Sequence, residues 1–181
     1  MIDAAVSYEL RRSARSRSIR IAVDRHGRVR VSAPVRARKE DIERVVHGHR
    51  GWIAQAVGKA LERRAQLPPD LAAETYAHYL RYKERARLLA HRKVKQWNAH
   101  FGFTVKRIAI KRFSSRWGSC SYQGNINLHY KLLFLPDRLL DYVVVHELCH
   151  LAHLNHSPAF WAAVARVLPD WRTRRAELQS L

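Results

Sequence analysis

Cysteine is scarce in this chain, with Cys120 and Cys149 the only two among 181 residues. So few exclude a disulfide framework, and Cys149 falls where a helix would carry it, so both read as free thiols. Long apolar runs are missing as well. No stretch of about 18 uncharged apolar residues occurs, and Met1-Ile2-Asp3 opens no apolar leader run. A soluble, cytoplasmic protein with no membrane partner is the expectation. Internal repeats and low-complexity tracts are absent too, while hydrophobic residues make up 47% of the chain, enough for one sizeable core and too many for intrinsic disorder.

Negative charge is the other deficit. Only 15 Asp and Glu face 34 Lys and Arg, for a formal net charge of +19. The cations are mostly arginine, 26 against 8 lysines, and arginine presents planar paired donors suited to phosphate or carboxylate. Residues 1–38 hold ten Arg against three acids, and residues 59–116 hold fifteen Lys or Arg against four, whereas residues 117–181 are nearly balanced at six to five. That asymmetry points to an anionic partner, nucleic acid or nucleotide, held by the first two-thirds of the chain. The competing reading is a solvated, solubilising surface.

Alternation of apolar and polar residues in VSYEL, SIRIAV and RVRVSA, with Asp24-Arg25-His26-Gly27 as a turn, predicts a small antiparallel sheet ended by Pro34. Helical spacing of Ile42, Val45, Val46, Ile53, Val57 and Leu61 follows, with Gly48 and Gly51 as break points. Leu67-Pro68-Pro69-Asp70 reads as a linker, dividing a sheet-and-helix subdomain at 1–66 from a second domain at 70–181. A long helix is predicted from Ala72 to His100, then strands at 104–110 and 126–135 joined through Arg116-Trp117-Gly118-Ser119-Cys120. Pro136-Asp137 opens another helix, Asn155 can end it in a left-handed conformation, and Ser157-Pro158 starts the next with a capping hydroxyl.

That helix carries HELCHLAHLNH, residues 146–156. His146 and His150, four apart, share a helix face and can converge on one ion, while Glu147 is offset by about 100° and can reach a water beside it. This is the mechanical content of an HExxH motif: neutral imidazoles hold one zinc per chain and a carboxylate takes a proton from polarised water. His153 and His156 compete for the third ligand position. On a continuous helix His153 lies about 7 Å along the axis from the midpoint of the first two, whereas a turn at Asn155 swings His156 back, so His156 is preferred. His153 then lies behind the ligands or at the rim of the site. Trp161 and Phe160 read as core rather than as a substrate platform.

The combination of RWGSC (116–120), GNINLHYKLLFLP (124–136), DYVVVHELCHL (141–151) and NHSPAFW (155–161) resembles the YgjP-like metal-dependent hydrolases, relatives of the WLM and SprT-like zinc metallopeptidases. The amino-terminal YELRRSARSRSIRIAVDRHGRVRVSAP and Gly51-Trp52-Ile53 fit the same family, so the resemblance covers most of the chain. It implies an α+β fold with a zincin-like, minigluzincin-type core: a mixed or antiparallel sheet, a metal-binding helix, long supporting helices and a small N-terminal β-sheet. It also implies zinc ligands His146, His150 and His156, with Glu147 as base. The resemblance leaves substrate open between a peptide or protein and a nucleotide.

Three functions follow. The leading one is a zinc metallopeptidase, with His153, Tyr130 or Arg116 as candidate oxyanion donors, Asn155 as a further contact, and the strand from Ile126 to Leu132 as an edge for an extended peptide. The second is a nucleoside triphosphate (UTP) pyrophosphatase using the same metal. The third is a nucleic-acid-associated protein with structural zinc, against which Glu147 speaks, since a closed structural site has no use for a base.

Overall fold

The computed structural model of the chain describes residues 6–181; the Met1-Ile2-Asp3 start, read above as opening no leader, lies outside them. Two compact units divide the chain, Met1–Leu67 and Pro68–Leu181. The fold is α+β, and no helix among the described residues is long and apolar enough to cross a membrane.

The first unit is built from β1 (Glu9–Arg12), β2 (Arg20–Val23), β3 (Val29–Ala33), α1 (Lys39–Gly48) and α2 (Arg50–Gln66). Alternation in β3 sends Val29, Val31 and Ala33 into a core shared with Ile42, Val46 and Ile53, and leaves Arg30 outside. Asp24 Oδ1 accepts from the backbone N–H groups of His26 and Arg28 at 2.9 and 3.1 Å, and Gly27 takes the positive φ of 75° that closes the β2–β3 hairpin. The sheet is not purely antiparallel, as its sequence suggested. Its order is β1-β3-β2, with β2 antiparallel and β1 parallel to β3. The reason is the connection: after β1 the chain crosses the C-terminal end of β3, where Ser13 N–H donates to the Ala33 carbonyl at 3.0 Å, and reaches the far edge before β2 begins. The helical run breaks at His49, between Gly48 and Gly51, as the glycines lead one to expect.

The second unit contains α3 (Pro69–Ala72), α4 (Tyr76–Asn98), β4 (Arg107–Lys111), β5 (Gly118–Cys120), β6 (Asn125–His129), a 3-10 turn (Tyr130–Phe134), α5 (Asp137–Cys149), α6 (Pro158–Val167) and α7 (Trp171–Ser180). Thr75 caps α4, its hydroxyl accepting from His78 N–H at 3.1 Å, so the long helix starts four residues later than its periodicity indicates. The strand expected over 126–135 ends at His129. There the His129 Nδ1 accepts from Lys131 N–H at 3.0 Å and the buried Lys131 ammonium donates to the Leu71 carbonyl at 2.6 Å, so tertiary bonds wind the next five residues into a turn. Gly-Ser-Cys at 118–120, read as a connection, is a strand. The sheet order is β4-β6-β5, with β4 parallel and β5 antiparallel to β6. β6 is therefore central and paired on both sides, and the peptide-binding edge assigned above to Ile126–Leu132 is overturned.

Leu139, Leu140, Val143, Val144, Val145 and Leu148 of α5 are all buried, so this helix runs through the core rather than along it. Lys93 of α4 reaches Asp141 at 2.8 Å and Asp137 at 3.2 Å, and Trp97 Nε1 donates to Asp141 at 2.8 Å. Burial alone would lower the Lys93 pKa, but the bonds from Asp141 and Asp137 outweigh it and raise it. Replacing Lys93 by Met should cost about 2 kcal/mol, because Asp141, with its side chain only 15% exposed, keeps Trp97 as a partner but loses its counter-charge. Urea unfolding of the variant measures this, and an unchanged midpoint would show that the pair contributes nothing.

Candidate metal centre

Two of the three histidines come from the last turn of α5 and its cap, and the third comes from the loop into α6. His150 Nε2 lies 3.2 Å from His146 Nε2, and His156 Nε2 lies 3.1 Å from the same atom. Ligand nitrogens of all three fall within 4.8 Å of one another. The chain returns to His156 without the left-handed turn expected at Asn155, since no non-glycine residue among those described has positive φ. Instead α5 ends at Cys149, and Leu151, Ala152 and His153 tighten into a right-handed turn whose N–H groups donate to the carbonyls of Leu148 and Cys149 at 2.9 to 3.2 Å. Ser157 then caps α6, accepting from Phe160 N–H at 3.4 Å, with Pro158 in the first turn.

One phenyl ring organises the cluster. Phe160, fully buried, has its centroid 4.9, 4.6 and 4.9 Å from those of His146, His150 and His156. Trp161 stacks on His156 at 5.4 Å and on Trp171 at 4.1 Å, and the Arg175 guanidinium lies 5.1 Å from its centroid. Phe160 is core, as the sequence indicates, whereas Trp161 is only half-buried, and both rings also fix the imidazoles, a role their helical spacing did not reveal.

Glu147 packs against β5. A Cβ on Gly118 would lie 2.5 Å from Glu147 Oε1, 2.7 Å from Cγ and 2.8 Å from Cδ, closer than real contacts allow, so the carboxylate occupies the room that the glycine leaves. An isolated glycine in a strand marks such an approach, and that signal was present in RWGSC. Burial raises the Glu147 pKa from its usual 4.5 to about 8, with Arg116 opposing. Burial, then the neighbouring His150, His156 and Arg175, lowers that of His146 from 6.5 to about 3.

Among the other residues singled out from sequence, His153 contributes its backbone: its carbonyl accepts from His150 Nδ1 at 3.0 Å. Arg116 is exposed, near the Phe113 ring at 5.6 Å and within electrostatic reach of Glu147. Tyr130 is fully buried, its hydroxyl 3.2 Å from His78 Nδ1 and donating to the Ala73 carbonyl at 3.5 Å. Asn155 is exposed. Cys120 and Cys149 are free thiols; burial, then the charge of Glu147, pushes Cys120 up to about 11, and burial pushes Cys149 to about 12.

The donor set fits a metal ion. His150 spends its Nδ1–H on a carbonyl, which leaves Nε2 as a lone pair aimed at its neighbours. Nitrogens bound at tetrahedral angles to one zinc sit about 3.4 Å apart, close to the 3.1 and 3.2 Å found here. Glu147 Oε2 is buried with no hydrogen-bond partner among the described residues, as befits a site that something else completes; His146 Nδ1 is also unpartnered, but it is not the ring nitrogen that meets the other histidines.

Two expectations follow. Gly118→Ala should cost about 1–3 kcal/mol by overpacking, and most of that cost should vanish in a Glu147→Ala background, where the colliding atoms are gone; equal costs in both backgrounds would refute the packing. For the metal-free protein, a neutral His146 loses its stabilising effect as pH falls from about 6.5 toward 3, and a protonated Glu147 loses its own as pH rises from about 4.5 toward 8. Thermal unfolding in chelator should therefore show a plateau between about pH 4.5 and 6.5, where the two opposed slopes cancel, and Glu147→Gln should flatten the alkaline limb and turn the plateau into a rise that continues to about pH 6.5.

Comparison with known proteins adds the lineage. A family model described as YgjP-like, metallopeptidase domain matches residues 17–81 and 77–181. Among solved structures, the metallopeptidase zymogen of Pyrococcus abyssi abylysin is 22% identical with a TM-score of 0.47, covering 50% of this chain and 92% of that one. The metallopeptidase zymogen of Methanocaldococcus jannaschii jannalysin is 20% identical with a TM-score of 0.42, covering 50% and 91%. No curated protein matches the chain significantly. With nearly its whole length matched by the family model, the chain belongs to the YgjP-like metallopeptidase family.

Proposed function

We propose that the chain is a zinc-dependent peptidase in which His146, His150 and His156 hold one zinc ion and Glu147 is the general base. The observation that carries this reading is the convergence of three imidazole nitrogens beside a buried carboxylate. When bound, zinc supplies Lewis acidity, lowering the pKa of water and polarising a carbonyl. The chain's own residues supply the rest. Glu147, 5% exposed and wedged against Gly118, is held with little freedom and accepts the proton from attacking water, then delivers it to the leaving amine. The His153 carbonyl orients His150, and Phe160 excludes water from the back of the cluster. Arg116 is the candidate for steadying negative charge near Glu147, because its own charge already acts there.

β5 is an edge of its sheet and its Gly118 abuts Glu147, so an extended peptide adding to β5 would bring a backbone carbonyl past the base. Peptide or protein is the substrate class this supports. Triphosphate hydrolysis is less suited to three imidazoles, since it relies on oxygen-ligated magnesium or manganese.

Purified protein should carry about one zinc per chain by the three-ligand logic. His146→Ala, His150→Ala and His156→Ala should each lose it in metal analysis, while His153→Ala, which keeps the backbone carbonyl, should retain it. Glu147→Gln should keep zinc and lose cleavage of an unstructured protein such as casein by about a hundredfold or more. Full zinc in the histidine variants, or near-normal cleavage by Glu147→Gln, would remove the assignment.

A further inference from the structure

We propose that the outer face of the β1-β3-β2 sheet, at the end where the chain crosses over β3, is a docking surface for nucleic acid, gripping the phosphodiester backbone through Arg11, Arg15, Arg17 and Arg20. The surface belongs wholly to the first unit and does not depend on the metal centre.

Strand register places two of these residues. Arg11 of β1 and Arg20 of β2 both pair with Ser32 of β3. Val31 and Ala33 are buried in the core, so Ser32 and its cross-strand neighbours lie on the outer face. The row Arg11, Ser32, Arg20 therefore sets two arginines about 10 Å apart across a small residue, by the spacing of adjacent strands. Arg15 and Arg17 sit in the crossover at the same end of the sheet, and all four are exposed.

All four also lack partners. No guanidinium of the four makes a hydrogen bond, ion pair or ring contact among the described residues. Several cations nearby are engaged: Arg28 and Arg30 with Asp24 at 3.1 and 3.3 Å, Arg30 with Glu9 at 3.5 Å, and Arg12 with the carbonyls of Val35 and Ala37 at 3.0 and 2.6 Å. On α4, Arg81 and Arg85 lie 5.4 and 5.8 Å from the Tyr82 ring, Lys83 lies 5.8 Å from that of Tyr79, and Arg87 pairs with Glu84. Four free forks gathered at one end of a small sheet, two of them set by strand register, form an anion site.

Chemistry selects the partner. Guanidinium forks match phosphate oxygens in pairs, and the crossover adds the hydroxyls of Ser13, Ser16 and Ser18. The same face offers Ser32, Ala22 and Ala14 where a bilayer-binding surface needs large apolar or aromatic anchors. No base-reading element is present on it, so binding is to backbone and independent of sequence.

The test compares two charge-matched variants of the full chain, R11Q/R15Q/R17Q/R20Q and R81Q/K83Q/R85Q/R87Q, by anisotropy of a labelled random-sequence DNA duplex between about 50 and 200 mM salt. Wild type should bind with log K falling against log salt. The first variant should lose about 3.6 from that slope, at about 0.9 per phosphate contact, and the second should keep it. The double variant R15Q/R17Q should lose about half as much, which keeps the result readable if the quadruple variant folds poorly. Equal losses in both quadruple variants would reduce the effect to net charge and overturn the proposal, as would absent or salt-insensitive binding. Binding to phosphatidylserine vesicles or polyglutamate as tight as to the duplex, and lost in the same variant, would assign the surface to another polyanion.

Discussion

The distance between α5 and β5 is set by a carboxylate that needs a strand position without a side chain. Glu147 fills the space where any other residue at 118 would carry its Cβ, so helix and strand can approach only as a pair of choices made together. Everything nearby follows from that approach. His146, one residue along the helix, is offset from Glu147 by about 100°. β5 lies at the sheet edge beside Glu147, with β6 between it and β4.

The second unit is braced from another direction by α4. Its Lys93 and Trp97 hold Asp141 on α5, and its His78 lies between Asp70 at 2.9 Å and the Tyr130 hydroxyl at 3.2 Å. These bonds tie the first turns of the unit to the segment leading into α5. Polar groups with full sets of partners give a core a single arrangement, because any slip leaves a buried donor or acceptor unmet.

Much of this was legible in the chain. Spacing of four between His146 and His150 needs only helical periodicity, and Ser157-Pro158 announces α6 by its local chemistry. The break between α1 and α2 is likewise written in Gly48 and Gly51. What the sequence hides is what non-local bonds decide. Tyr130 to Phe134 continues the apolar run of β6, and its turn is tied by Lys131 to Leu71, some sixty residues apart in sequence. Gly-Ser-Cys has no strand propensity of its own and extends only because β6 is beside it. The parallel pairing of β1 depends on a crossover whose path no local pattern encodes, and the return to His156 is made by a right-handed turn rather than by Asn155.

Phe160 makes ring contact with all three histidines while belonging to the buried face of α6 with Val164. The entropy of ordering those imidazoles is therefore lost when the apolar core forms and not when an ion arrives. An ion held there as proposed would meet a rigid receptor: its loading and removal would change occupancy and leave the fold standing, in contrast to domains whose only route to structure is the metal itself.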